Sequence, residues 1–280
     1  MIFKCWGCRG SIPVSGTQYL QYGGDTTCFE IISKEGSRLI IDAGTGIRPL
    51  GNYLSETTAN TIHLLITHTH WDHLMGLPVF KPLFSPSTQL NIYGKSFCDK
   101  SFREIINGGM AAPFFPISFN EAAAQVTINE IEENQELQIE NFIITPIKLS
   151  HPNQGFGYKI VADDKILVIL TDNNLGFQHQ GGYSFKDYIH WCRNADLLIH
   201  DAEYYPDEFE IKKLWGHSAY TQALELAIQS QVKTFMLTHH NQDRSDDEIN
   251  RIYDDCIQII ARKNSKISCK ALASGLEFII

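Results

Sequence analysis

Apolar residues in this chain fall into short runs bounded by Gly, Asp, Asn and Ser, a pattern that predicts strands through much of its length. Residues 2–6, 26–33, 38–42, 62–67, 90–93, 137–140, 142–147, 157–162, 166–171, 196–200, 233–238 and 276–280 read as strands. Turns are expected at 34–37 and at Asp163-Asp164. Helical spacing appears at 219–230, where apolar residues fall at 219, 223, 224, 226, 227 and 228, and at 246–260 behind a capping Ser245. Further helices are expected from Gly44–Gly46 to about Ser55, near 97–106 and near 185–193. Residues 9–25 read as a Gly/Ser-rich loop and 108–119 as an apolar loop. Strands lead and later alternate with helices, which predicts sheets packed together with helices outside, an α/β layered architecture. No repeat or linker marks a boundary, so a single domain over 1–280 is expected.

The strand ends carry the chemistry. The run 62–66, broken only by His63, is followed at once by His68, His70, Asp72 and His73. Strand-end loops are where a rigid scaffold presents reactive groups. The pattern recurs: 142–149 leads to His151, 166–171 to Asp172, 196–199 to His200, Asp201 and Glu203, and 233–238 to His239 and His240. His217 stands between Gly216 and Ser218 where a helix opens. Singly, each has an ordinary reading: a loop histidine, a turn aspartate before Asn173, a neighbour of a capping serine. Together they predict one sheet edge with a shared site. Imidazole and carboxylate without thiolate suit zinc, manganese or iron. Two metals a few Å apart need a bridging carboxylate, and such a pair clamps both oxygens of a phosphoryl displacement.

Composition narrows the class. The chain has 280 residues, 43% hydrophobic and 20% charged, ample for a sizeable core. No apolar run approaches the ~20 residues that span a bilayer, and residues 1–8 lack a signal-peptide pattern. Neither a membrane nor an extracellular setting is expected. Seven cysteines without framework spacing predict a reducing, cytoplasmic one. A net charge of −9 argues against broad nucleic-acid binding through phosphates. Bound metal ions could still capture a small anion.

His68, His70, Asp72, His73, His151, Asp172 and His239, in this order, resemble the metallo-β-lactamase superfamily of binuclear hydrolases. Leu198-Ile-His200-Asp201-Ala202-Glu203, then Trp215-Gly216-His217-Ser218-Ala219, resemble its phosphodiesterase branch, which includes tRNase Z and the cyclic phosphodiesterase of phosphonate degradation. The likeness also covers residues 7–13 and 22–28 and runs to about 250. It implies an αββα four-layer sandwich with the site at one edge of two sheets. It implies two divalent metal ions, zinc foremost, with manganese or iron as alternatives. His68, His70 and His151 would bind the first metal; Asp72, His73 and His239 the second; Asp172 would bridge. Asp72, His217 and Asp201 would form the catalytic group. A metal-bridging hydroxide would attack phosphorus in line, and His217 would protonate the leaving oxygen, held in its tautomer by Asp201. The chain departs from the family at Thr171-Asp172-Asn173, usually Gly-Asp-Thr, and at His200-Asp201-Ala202, usually His-Glu-Ala. His240 competes with His239 for the last ligand position.

The tRNA-processing members often carry a long arm between the third and fourth metal motifs; here residues 152–171 read as a tight hairpin. With the acidic charge, this predicts a small or cyclic nucleotide-like phosphodiester substrate. Rival readings are an arm-less RNA 3′-end endonuclease acting on short RNA, a thioester or lactone hydrolase, and a non-catalytic di-iron sensor. A homodimer is the expected assembly. Arg9 and Ser11 open a Gly-rich loop that could bind substrate phosphate. Cys5 and Cys8 read as buried structural thiols. Residues 110–115 read as a pocket wall, a lid or a subunit contact.

Overall fold

The computed structural model describes residues 1–57, 60–96 and 100–280. Among the described residues, fourteen strands form two seven-stranded sheets. The first contains β1 (Ile2–Gly7), β2 (Cys28–Ile32), β3 (Arg38–Ile41), β4 (Thr61–Leu65), β5 (Gln89–Gly94), β6 (Gln125–Glu130) and β14 (Glu277–Ile279). Its order is β14-β1-β2-β3-β4-β5-β6. The second contains β7 (Leu137–Ile139), β8 (Phe142–Lys148), β9 (Phe156–Ala162), β10 (Lys165–Leu170), β11 (Leu197–Asp201), β12 (Thr234–Thr238) and β13 (Ser268–Ala271). Its order is β13-β12-β11-β10-β9-β8-β7. The helices are α1 (Ile47–Ser55), α2 (Trp71–Leu74), α3 (Phe102–Gly109), α4 (Phe185–Cys192), α5 (Pro206–Lys212), α6 (Tyr220–Gln229) and α7 (Asp246–Arg262).

Continuous apolar runs become strands buried on both faces, with alternate side chains sent to different cores. In β10, Leu167 and Ile169 join the core between the sheets, while Val168 and Leu170 face the helices. In β3, Leu39 and Ile41 point inward and Ile40 outward. Phe3, Phe29, Phe142, Tyr158 and Met236 fill the space between the sheets. Tyr188, Leu224 and Ile252 bring α4, α6 and α7 against the second sheet. Leu50, Leu54, Phe102 and Ile106 bring α1 and α3 against the first. The result is the αββα sandwich expected from the sequence.

Strand direction gathers the reactive ends. β10, β11 and β12 run parallel. Two antiparallel steps, β8 to β9 and β9 to β10, turn β8 the same way. The C-terminal ends of all four therefore lie along one edge. The first sheet is tied there too: the Tyr158 hydroxyl donates to the Ile66 carbonyl at 2.6 Å, and the Phe156 N–H to the Thr67 carbonyl at 2.7 Å.

The 163–164 turn closes a β9–β10 hairpin, with both aspartates left-handed (φ 55° and 59°), as a two-residue hairpin demands. Ser245 caps α7 reciprocally with Glu248. β6 and β13 were not expected: both lie at sheet edges and carry mixed polarity, and β13 has only four residues. α2 and α5, of four and seven residues, are too short to show a helical period. The helix expected over 97–106 starts at Phe102 behind a Ser101 cap, and 97–99 lie outside the described residues. In the 110–115 loop, Met110 is buried in the α3 core and Phe114 is exposed. Cys5, Cys8, Cys28, Cys192, Cys256 and Cys269 are buried free thiols. No helix among the described residues is long and apolar enough to cross a membrane.

Ile169, fully buried between the sheets, reports on this packing. Ile169→Ala should lower the unfolding free energy by about 2–5 kcal/mol. Leu20→Ala, at a position 78% exposed, should change it by less than about 0.5 kcal/mol. Guanidinium unfolding followed by circular dichroism reads both, and equal shifts would contradict the layered core.

Candidate metal centre

Side chains from both sheets converge at this edge. His68 and His70 follow β4, and Asp72 and His73 lie in α2, whose single turn folds both back toward the edge. His151 follows β8, Asp172 follows β10 and His239 follows β12. One group is His68, His70, His151 and Asp172, and a second is Asp72, His73, Asp172 and His239; in each, the donor atoms lie within 4.8 Å of one another. Asp172 belongs to both. Its Oδ2 is 3.5 Å from His68 Nε2 and 3.2 Å from His239 Nε2, and its Oδ1 is 3.3 Å from His73 Nε2. His239 Nε2 also lies 3.1 Å from Asp72 Oδ2.

The donors fit divalent cations. His68 Nε2, His73 Nε2 and Asp172 Oδ1 are buried without a hydrogen-bond partner, and all three face the shared space. Buried polar atoms are normally satisfied, so three orphans in one place mark a site built for something else. His70 Nδ1 and His151 Nε2 face each other at 3.0 Å.

A second layer aims these donors. His73 Nδ1 is 2.7 Å from Asp42 Oδ2. Asp42 also accepts from the Thr67 N–H and hydroxyl at 2.7 and 2.8 Å. His239 Nδ1 lies 2.9 Å from Glu203 Oε2, and Asn241 Nδ2 donates to Glu203 Oε1 at 2.8 Å. His151 Nδ1–H donates to the Gly216 carbonyl at 2.9 Å. The Ser11 N–H donates to Asp72 Oδ2 at 2.9 Å. Such partners fix which imidazole nitrogen faces a metal. Neither Asp42 nor Glu203 was assigned from sequence; the available signal was position, since Asp42 follows β3 as Asp172 follows β10.

The backbone is bent to serve the site. Asp42, Asp172 and His239 hold φ of 64°, 45° and 55°, in the left-handed region that side chains disfavour. Gly10 allows close approach: a Cβ there would lie 2.3 Å from the His239 ring. Gly216 (φ 99°) is closer still, 2.2 Å from His151 Nδ1.

Electrostatics match the donor set. Burial opposes charge on Asp172, but His239, His73 and His68 prevail and hold its carboxyl well below the usual range. Burial dominates at His68, pushing it well down, and at His151, lowered to about 3; both stay neutral, the form in which an imidazole can bind a metal. Burial also opposes charge on His73 and His239, yet the carboxylates around them raise both well above the usual value. A cation bound there would take the place of those protons.

His217 borders the cluster, stacked on His239 with ring centroids 4.6 Å apart. Its Nδ1 is 3.1 Å from Asp201 Oδ2 and its Nε2 3.4 Å from Glu203 Oε2. The shorter side chain of Asp201 therefore still reaches it. Burial lowers its basicity, while Glu203 and Asp201 raise it, with a net upward shift. His240 turns away, hydrogen-bonded to the Leu272 carbonyl at 2.8 Å, and His200 contacts Asn173 instead of the cluster.

Arg9 is a correction. Its guanidinium is fully buried and donates to the carbonyls of Gly23, Asn241 and Arg244, so it locks loops and has no face for substrate. Ser11 reaches the site through its backbone N–H.

Residues 37–240 match the family model for the beta-lactamase superfamily domain. This chain belongs to the metallo-β-lactamase superfamily. It is similar to the ribonuclease Z of Picrophilus torridus, 25% identical over 248 residues, covering 74% of this chain and 77% of that protein. The ribonuclease Z of Archaeoglobus fulgidus is 25% identical over 290 residues, covering 85% and 87%. Among solved structures, the metallo-β-lactamase fold protein YhfI of Bacillus subtilis superposes with a TM-score of 0.71 at 18% identity, covering 99% of both chains. A diphosphatase of the PhnP family gives 0.67 at 16% identity, covering 100% and 97%. The short form of human tRNase Z gives 0.64 at 20%, covering 100% and 99%. The protein is an enzyme of this hydrolase superfamily, with His/Asp clusters suited to a metal centre.

Asp42→Ala removes the acceptor from His73 Nδ1. It should weaken metal binding about 10–100-fold in a chelator-competition titration, with the circular dichroism spectrum retained. Unchanged affinity would detach Asp42 from the metal site.

Proposed function

We propose that the protein is a dinuclear-metal phosphodiesterase acting on a small or cyclic nucleotide-like phosphodiester. The observation that carries this reading is the pairing of two donor groups sharing Asp172 with a carboxylate-oriented histidine at their border. His68, His70 and His151 would hold one cation and Asp72, His73 and His239 the other, with Asp172 between them. When bound, two divalent cations, zinc by preference, supply Lewis-acid charge at phosphorus and activate water.

The chain's own residues supply the rest. Asp201 accepts from the His217 Nδ1–H, which leaves Nε2, 3.4 Å from Glu203 Oε2, as the nitrogen that would carry a transferable proton. A proton held at Nε2 passes to the departing ester oxygen, which would otherwise leave as a poor alkoxide. Ser11 and Glu203 hold Asp72 and His239 in place through the contacts described. The compact β9–β10 hairpin supports a small substrate, because it extends no arm to grip a folded RNA.

A second reading, an arm-less RNA 3′-end endonuclease, is favoured by one observation: the ribonuclease Z relatives match most of this chain. Incubating the protein with cyclic nucleotides and with a structured RNA bearing a 3′ extension separates the two.

Metal-reconstituted protein should hydrolyse bis(p-nitrophenyl) phosphate, and Asp172→Ala should abolish this activity and loosen both metals. Absence of hydrolysis with zinc, manganese and iron alike would sink the phosphodiesterase reading. His217→Ala should keep the metals, by elemental analysis, while kcat falls about 10²–10⁴-fold, as loss of a general acid does. An unchanged kcat would remove His217 from the mechanism.

A further inference from the structure

The chain has four tryptophans, and the structure divides them in two. Trp6 donates from its indole to Glu30, and Trp191 carries Lys159 on its face. Trp71 and Trp215 are 76% and 68% exposed, and among the described residues neither makes a side-chain hydrogen bond, ring contact or cation contact. Both adjoin metal-centre residues in the chain. Trp71 lies between His70 and Asp72, at the first turn of α2. Trp215 precedes Gly216, whose carbonyl accepts from His151, and lies two residues before His217. His70 and His151 are in contact at 3.0 Å, so the two tryptophans are chain neighbours of residues that meet at one pair of donors, Trp71 next to His70 and Trp215 next to the glycine that holds His151.

An exposed indole is a large apolar face left in water, and two of them beside one site call for an occupant. Their placement says which. A phosphodiester sends two organic arms away from a tetrahedral phosphorus, so a diester seated at the cluster must lead its arms past the rim. A flat heterocycle stacks on an indole whatever its sequence identity, because every nucleobase has a π-face. An alkyl or lipid arm would instead call for an enclosed apolar channel, and these side chains stand open.

We propose that Trp71 and Trp215 are stacking platforms for a nucleobase-bearing arm of the substrate, which makes that substrate a nucleotide ester. The inference rests on the phosphodiesterase reading above and adds the group that the enzyme recognises. It involves no charged contact, so it is compatible with a net charge of −9.

The test compares adenosine 5′-monophosphate with ribose 5-phosphate, which lacks the base, on metal-loaded protein. Titration calorimetry should show the nucleotide binding about 5–100-fold more tightly, the range expected for loss of one stacked base. Tryptophan fluorescence should fall as it binds. The double variant Trp71→Ala/Trp215→Ala should bind both compounds equally, and Trp71→Phe/Trp215→Phe should keep most of the preference. Equal affinities in the wild type, or a preference surviving in the double alanine variant, would overturn the proposal. So would a double alanine variant that passes from dimer to monomer while keeping its preference, since the indoles would then be a subunit contact. Hydrolysis of bis(p-nitrophenyl) phosphate separates the two levels. Hydrolysis without base preference defeats the platform alone. Base preference without hydrolysis of any diester defeats the phosphodiesterase reading and leaves a nucleotide-binding rim.

Discussion

The Asp172 carboxylate is the constraint on which the molecule turns. A charged group removed from water needs compensation within a few Å, or it gives up its charge. Asp172 finds it in the histidines at positions 68, 73, 151 and 239, all within 4.0 Å. Those residues come from two sheets and from strands far apart in the chain. Seating the carboxylate therefore requires both sheets to be in register, and the sandwich core and the site are completed together.

Around that centre the structure grades from locked to open. Inside, the imidazoles of His68, His73, His151 and His239 are held by a hydroxyl, a carboxylate or a carbonyl, and the loop that follows His239 is pinned by the buried guanidinium of Arg9. At the rim, polar bonding gives way to uncovered apolar side chains. The interior is arranged for invariant chemistry at one atom, and the rim for selection among the groups attached to it.

Much of this was legible in the sequence. Strands 62–67, 166–171 and 233–238 were readable from their apolar runs, and their ends because ligand-type residues follow at once. The convergence of those ends is a consequence of parallel strand direction, which the sequence implies only through the intervening helices. What stayed hidden depends on contacts between distant segments. Asp42 and Glu203 look like ordinary turn and strand-end acids until another segment brings a histidine against them. Arg9 misled because an arginine beside glycine and serine suggests a phosphate cradle, whereas three carbonyls from elsewhere enclose it. The edge strands β6 and β13 lack an apolar pattern because they are covered on fewer sides.

The left-handed backbone at Asp42, Asp172 and His239 has a consequence for the protein's history and its engineering. Each such residue costs on the order of 1 kcal/mol against glycine, a sizeable part of a typical folding margin. All three sit where chemistry needs a side chain and geometry would rather have none. Selection for heat resistance alone would drift toward glycine at these positions, and its survivors would be tougher and inert. Only continued demand for activity holds the edge in its tense form.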